Sequence, residues 1–258
     1  MKRIALLCLV MVTFSIAVYG FAYSYAYAED YPLAKDFTFS ADYAFYTQYV
    51  SKGFTWDKDP VLQAGFYLGY KGLTLTVWNS QDIRNHKGNN SDEVDYVVEY
   101  AYAIDKLKLS IGHAYFDYPG SNRLATGDNS YSYTNSFSKE LSLGVAYDIL
   151  LSPSLSWKHD YSNENSGGAK GDYIAIALAQ SFPVTKAISV DLSGHVGYND
   201  GYFISGTGGD AALTAGLSIP LTGKLTFKPN VNYALPYGDQ ADEQDSRVYA
   251  GVVMGYSF

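Results

Sequence analysis

Beyond residue 28 the chain alternates between apolar and polar positions, and no window sustains a 3.6-residue period. The stretch "KLTFKPNVNYAL" is typical: Leu225, Phe227, Pro229, Val231 and Tyr233 fall on one side, Thr226, Lys228, Asn230 and Asn232 on the other. In "ISVDLSGHVGY", Ile188, Val190, Leu192 and Val196 separate in the same way from Ser189, Asp191, Ser193 and His195. Twelve such segments are predicted as strands, at about 37–50, 61–70, 73–81, 94–104, 107–117, 137–147, 151–161, 172–182, 188–198, 211–220, 225–235 and 247–258. Most have the length a tilted strand needs to cross a bilayer. Pro153 and Pro229 lie on the apolar parity of two segments, where each removes a ladder donor.

The connections alternate too. Short turns at Lys71-Gly72, Ile104–Lys106, Asp148–Leu150, Pro183–Ala187 and Leu221–Lys224 are interleaved with long polar loops such as "QDIRNHKGNNSDE" and "PYGDQADEQDS". That rhythm predicts an all-β fold, an up-and-down transmembrane antiparallel β-barrel of about twelve strands, with short periplasmic turns and long extracellular loops. Aromatic residues on the apolar parity form two bands. Phe37, Phe39, Tyr70, Tyr102, Tyr147, Phe182, Tyr256 and Phe258 mark the short-turn end, and Phe45, Tyr49, Tyr96, Tyr115, Tyr161, Tyr198 and Tyr233 the long-loop end. Two aromatic girdles around an aliphatic band match the two lipid–water boundaries. The chain stops inside its last segment, so Tyr256 and Phe258 are expected to serve as the C-terminal signal that outer-membrane assembly machinery reads.

The amino terminus supports the same destination. Lys2 and Arg3 precede an apolar run that ends in Ala26-Tyr27-Ala28 before Glu29, the layout of a secretory signal peptide over 1–28. The alternative is an uncleaved membrane anchor, since the run is nearly long enough to span. Residues 29–258 then form a single barrel domain. The one cysteine, Cys8, lies within the leader, so the mature chain carries no thiol for an oxidising compartment. Without Lys2 and Arg3, the 18 basic residues become 16 against 26 acidic ones, and the net charge moves from −8 to −10. That balance excludes nucleic acid as a natural partner.

The stretch "YVSKGFTWDKDPVLQAGFYLGYKGLTLTVWNS" resembles the TorF-type porins, also called the Gcw_chp family. Their pattern runs from an aromatic and Arg-Gly through Pro-x-x-Gln-Gly to Gly…Trp…Ser. Gly53, Pro60, Gln63, Gly65, Gly72, Trp78 and Ser80 match it, and "HAYFDYPG" (113–120) and "GHVGYNDG" (194–201) look like two further family blocks. Lys52 stands where the family usually has Arg, and Ala64-Gly65 where it often has two glycines. The resemblance implies an outer-membrane barrel that forms a channel, with no particular solute.

Catalytic and metal chemistry is sparse. His86, His113, His159 and His195 are scattered with no ligand spacing, so neither a metal nor a cofactor is expected, and no enzyme. The strongest enzymatic alternative lies in "WKHDYSNENSGG" (157–168), because lipid hydrolases of the outer membrane place a histidine and a serine two apart on the lipid face. Here His159 faces lipid, but Ser162 is three residues on and faces the other way, with no acid of matching parity evident nearby.

The inward parity carries more information. It holds Asp42, Asp95, Glu99, Glu140, Asp160 and Asp191, with Lys108, Lys158, Lys228, Arg247 and His195. These charges either line a narrow polar pore for small polar solutes or ions, or pair with one another in a plugged structural or surface-recognition barrel. The expected partners are outer-membrane lipids, the assembly machinery and the solutes themselves. The external loops hold acids such as Asp57, Asp59, Glu93, Asp210, Asp242 and Glu243 in excess of bases, so a conducting barrel should weakly prefer cations.

Overall fold

The computed structural model describes residues 36–84, 92–119, 136–162 and 168–258. The leader predicted at 1–28 and parts of three long loops lie outside the described residues. Twelve long strands close into one barrel: β1 (Phe37–Tyr46), β4 (Val61–Tyr70), β5 (Leu73–Asp82), β6 (Glu93–Ile104), β7 (Leu107–Tyr118), β8 (Ser136–Tyr147), β9 (Ser154–Asp160), β10 (Asp172–Pro183), β11 (Ser189–Asp200), β12 (Thr207–Pro220), β13 (Leu225–Gly238) and β14 (Arg247–Ser257). A hairpin of β2 (Tyr49–Ser51) and β3 (Phe54–Asp57) and a short helix α1 (Asp239–Glu243) complete the described elements.

Every neighbouring pair in the barrel is antiparallel, and β1 closes the ring by pairing with β4 on one side and β14 on the other. In the closing seam Ala41 faces Tyr256 and Phe45 faces Val252. Phe258 follows the last strand, donates its N–H to the Phe39 carbonyl at 3.0 Å, and packs its ring 4.5 Å from that of Phe39. The short turns are built as the alternation requires. Lys71 and Gly72 both have positive φ, 48° and 89°, the combination of a two-residue turn whose twist matches its strands.

The burial pattern is inverted relative to a water-soluble protein. Ile176 is 61%, Leu213 65% and Val248 69% exposed, whereas Asp160, Glu140 and Asp210 are 2% exposed or less. An apolar belt of that kind, at about 25 cal/mol per Å² of apolar surface, belongs against hydrocarbon. The alternation seen in the sequence is therefore the alternation between lipid and lumen.

Four sequence expectations need correction. The segment predicted at 37–50 ends as a barrel strand at Tyr46, and the chain then turns into the lumen as β2 and β3. Tyr49 accordingly leaves the outer girdle and packs 5.7 Å from Trp78. The segment predicted at 151–161 begins only at Ser154, so Pro153 precedes the strand and needs no ladder donor. The segments predicted at 211–220 and 225–235 lengthen to 14 residues each, which brings Asp210 from a supposed loop into β12.

The two faces of β11 give a direct test. Leu192→Lys places a cation on the lipid face and should cost about 2–4 kcal/mol in urea unfolding from lipid vesicles, whereas Ser193→Lys, facing the lumen, should cost less than about 1 kcal/mol. Equal losses would contradict the assigned faces.

Candidate functional site: a charged cluster under a lumenal hairpin

The hairpin β2–β3 turns at Lys52 and Gly53, both at positive φ (51° and 75°), the same two-residue geometry as the Lys71-Gly72 turn. A side chain at Gly53 would collide with Asp210 and Gln240, so the turn sits directly on the barrel wall and on α1. Gln240 Nε2 donates to the Lys52 carbonyl at 2.7 Å, and the Thr55 N–H donates to Gln244 Oε1 at 3.0 Å. Phe54, Trp56 and Phe203 pack against one another, with Trp56 and Phe203 rings edge to face at 5.4 Å. Residues 201–206, between β11 and β12, supply Phe203 and its neighbour Tyr202. They are pinned by Asn199, whose side chain bonds both the N–H and the carbonyl of Tyr202 at 2.9 Å. Three chain segments thus meet inside the long-loop end of the barrel.

Glu140 is the electrostatic centre of this plug. Lys158 Nζ lies 2.9 Å from Glu140 Oε1, and Lys52 Nζ 3.6 Å from Oε2. Tyr202 donates its hydroxyl to Oε2 at 2.6 Å and accepts from Lys52 Nζ at 3.0 Å. Lys52 also stands 4.8 Å over the Tyr202 ring. Burial, followed by the Glu140 carboxylate, pushes the Tyr202 hydroxyl well above its ordinary pKa, which keeps it a neutral donor. Burial and the adjacent Glu93 act likewise on Tyr49, whose hydroxyl donates to Glu93 Oε2 at 2.9 Å.

A cavity of about 770 Å³ toward the short-turn end is lined by Ser181, Ser193, Thr214, Ser218, Asp191 and Lys228, among others. Asp191 is held there by hydroxyls of Ser181, Ser189 and Ser218. A second cavity of about 470 Å³ lies against the hairpin and brings Asp95, Glu99, Glu140 and Lys158 together.

Residues 32–225 match the family described as "Bacterial protein of unknown function (Gcw_chp)". The chain belongs to the Gcw_chp family. No curated protein matches the sequence. Among solved structures, the barrel is similar to the COG4313 outer membrane channel from Pseudomonas putida F1, at 11% identity and TM-score 0.54 over 86% of this chain and 96% of that one. It is also similar to the KdgM porin, at 15% identity and TM-score 0.51 over 85% and 99% of the two chains. LpxR from Salmonella typhimurium aligns at 11% identity and TM-score 0.51 over 85% and 100%. These likenesses establish an outer-membrane barrel fold.

In this Gcw_chp chain, several residues that match the family pattern lie at the plug, while Gly72 makes a turn at the opposite, short-turn end. Gly53 makes the hairpin turn, Trp78 lines the 470 Å³ cavity, and Gln63 Nε2 donates to Ser80 Oγ at 3.3 Å in the buried wall beside it. Of the charges read from inward parity, Asp95, Glu99, Glu140 and Lys158 share one cavity, and Asp191 and Lys228 share the other. His195 lines a third cavity with Lys52 and Lys158 and sits 2.9 Å from Asp210, which also accepts the Tyr173 hydroxyl at 2.6 Å. Asp42 accepts the Tyr67 hydroxyl at 2.8 Å. Asp160 is bound by Ser138 Oγ at 2.5 Å and by the Ser162 N–H at 2.7 Å. Arg247 reaches Asp245 at 3.0 Å near the rim, and Lys108 lies across from Ala103 and Ala146 near the short turns. Glu93 and Asp210 were expected among the acids of the external loops, and Lys52 and Tyr202 lie between predicted strands, where the inward parity does not extend.

On the outer face, the acid missing from the sequence reading of His159 turns out to be Asp172. It lies on the adjacent strand β10, 3.0 Å from His159 Nδ1, and accepts the Trp157 indole N–H at 2.8 Å. Ser162 does not join them: its Oγ accepts the Lys139 N–H and it is buried.

Replacing Glu140 by Gln leaves two neighbouring ammonium groups without their shared anion. The change should cost about 3 kcal/mol in vesicle unfolding, and adding Lys158→Met should restore part of the loss. An unchanged midpoint in Glu140→Gln would mean that lumenal water screens the cluster.

Proposed function

We propose that this protein is a porin-like passive channel of the Gram-negative outer membrane for small polar solutes or ions, with no catalytic centre. The supporting observation is the lumen itself: a hydroxyl-lined cavity of about 770 Å³ that shares Tyr46 and Asn232 with the charged neck cavity of Lys52, Glu140 and Lys158. Similarity to barrels named as a channel and as a porin points the same way. Transport would proceed along the inward parity, where hydroxyls and amides replace water around the solute and charges set the preference. The neck cavity carries Glu93, Asp95, Glu99 and Glu140 against Lys52 and Lys158. That excess of acid, like the acidic loops above it, gives a weak preference for cations.

The plugged-barrel reading draws on the hairpin, which fills the long-loop end and sets the neck. The two readings separate in planar bilayers. Native protein should show single-channel steps, and deleting residues 48–58 or substituting Gly53→Val should enlarge them by unseating the hairpin. A barrel that inserts yet passes no current, until the hairpin is removed, would favour the plug. In a salt gradient the zero-current potential should report cation preference, shrinking as the Debye length falls from about 10 Å at 0.1 M to about 3 Å at 1 M. An anion preference would assign the neck to Lys52 and Lys158.

A further inference from the structure

The cavity against the hairpin is unbalanced in a chemically specific way. Four carboxylates line it, Glu93, Asp95, Glu99 and Glu140, against the two ammonium groups of Lys52 and Lys158. Both lysines are committed to Glu140, at 3.6 and 2.9 Å. Among the described residues, two buried side-chain oxygens of the same cavity have no hydrogen-bond donor, Asp95 Oδ1 and Gln48 Oε1. Buried acceptors are almost always satisfied in folded proteins, so an orphan pair on two residues that line one cavity points to a donor that arrives from outside, with a small side-chain turn to meet it. Asp95 also hydrogen-bonds the neighbouring Glu93 carboxyl, and the repulsion within that close acid pair is relieved by a cationic donor.

The remaining walls are aromatic. Tyr49, Trp78, Phe116, Tyr118, Tyr202 and Tyr249 present rings to the cavity, and ring faces attract ammonium groups. Lys52 displays the recognition within the chain itself, its ammonium held by a carboxylate, a tyrosine hydroxyl and the face of that tyrosine's ring. At about 470 Å³ the cavity falls within the size range of small-molecule sites.

We propose that this cavity is a binding site for small primary organic ammonium ions, whose N–H groups are taken by Asp95 and Gln48 and whose apolar part lies among Trp78, Phe116 and Tyr118. The assignment deepens the channel reading by naming the class of solute that the neck retains. A bare inorganic cation would satisfy the carboxylates without using the aromatic walls, and a neutral alcohol would use the walls without answering the charge.

The test uses the full chain folded in detergent micelles, with phenethylammonium chloride and phenethyl alcohol as matched probes. Tryptophan fluorescence follows binding, because Trp56 and Trp78 both line the cavity. Phenethylammonium should give a saturable change, and Asp95→Asn should weaken it about tenfold or more, as expected for loss of one partner of a desolvated charge pair. Glu99→Gln provides a second variant, and heat-modifiable gel mobility checks that each variant folds. A response equal to that of phenethyl alcohol, or one unaltered in both folded variants, would overturn the site. Because micelle binding is read without current, ammonium binding by a non-conducting barrel would uphold the site while removing the channel. A conducting barrel with no saturable ammonium response would do the reverse.

Discussion

The structure depends on one constraint, the closure of a backbone hydrogen-bond ladder between the first and last long strands. In hydrocarbon an unpaired N–H or C=O costs several kcal/mol, so a sheet can cross a bilayer only when it has no edge. Here β1 meets β14 along seven residue pairs, from Ser40–Ser257 to Tyr46–Gly251. Phe258 extends that seam, since it bonds to the Phe39 carbonyl and packs its ring against that of Phe39 at a tilt. Once the ring is closed, the pleat sends alternate side chains to lipid and to lumen. Exposed Leu, Ile and Val outside and buried Asp, Glu and Asn inside follow from that geometry.

A twelve-stranded barrel encloses more space than its own inward side chains fill. At the long-loop end this protein fills the difference with backbone, turning residues 47–60 inward and meeting them with 201–206 and α1. At the short-turn end it leaves a cavity lined by serine, threonine and asparagine. The plug is held by directional polar contacts around Glu140 more than by apolar area. Buried ion pairs of this kind recover their desolvation cost only when hydrogen bonds complete them, as the Tyr202 hydroxyl does here. Such contacts specify where the hairpin sits, and Gly53 reinforces the choice because a larger residue cannot occupy its place.

Several misreadings share one origin. Tyr49 has the parity and chemistry of a girdle aromatic, yet its hydroxyl belongs to Glu93. Asp210 and Glu93 look like acids of external loops, yet each belongs to a strand and faces the barrel interior. Asp172 follows a long loop in the chain, and only the register of β9 against β10 brings it to His159. In each case the deciding neighbour is distant in sequence. A weak signal was present for the plug: "YVSKGFTW" and "GYFISG" carry large aromatic residues where a solvent-exposed loop would have little use for them.

By itself the sequence determined the barrel: its strand count, the alternation of outward and inward faces, and the short and long ends. Those properties follow from a period of two and from turn chemistry, which act between residues adjacent in the chain or across a tight hairpin. Tertiary structure alone decided that a hairpin folds into the lumen, that Lys52 and Lys158 converge on Glu140, and that Asp95 and Gln48, each with an unpartnered buried oxygen, line one cavity. The bond from Lys52 to Tyr202 joins residues 150 positions apart. No local pattern encodes that meeting, because it exists only after the ring has closed and brought opposite walls within reach of one side chain.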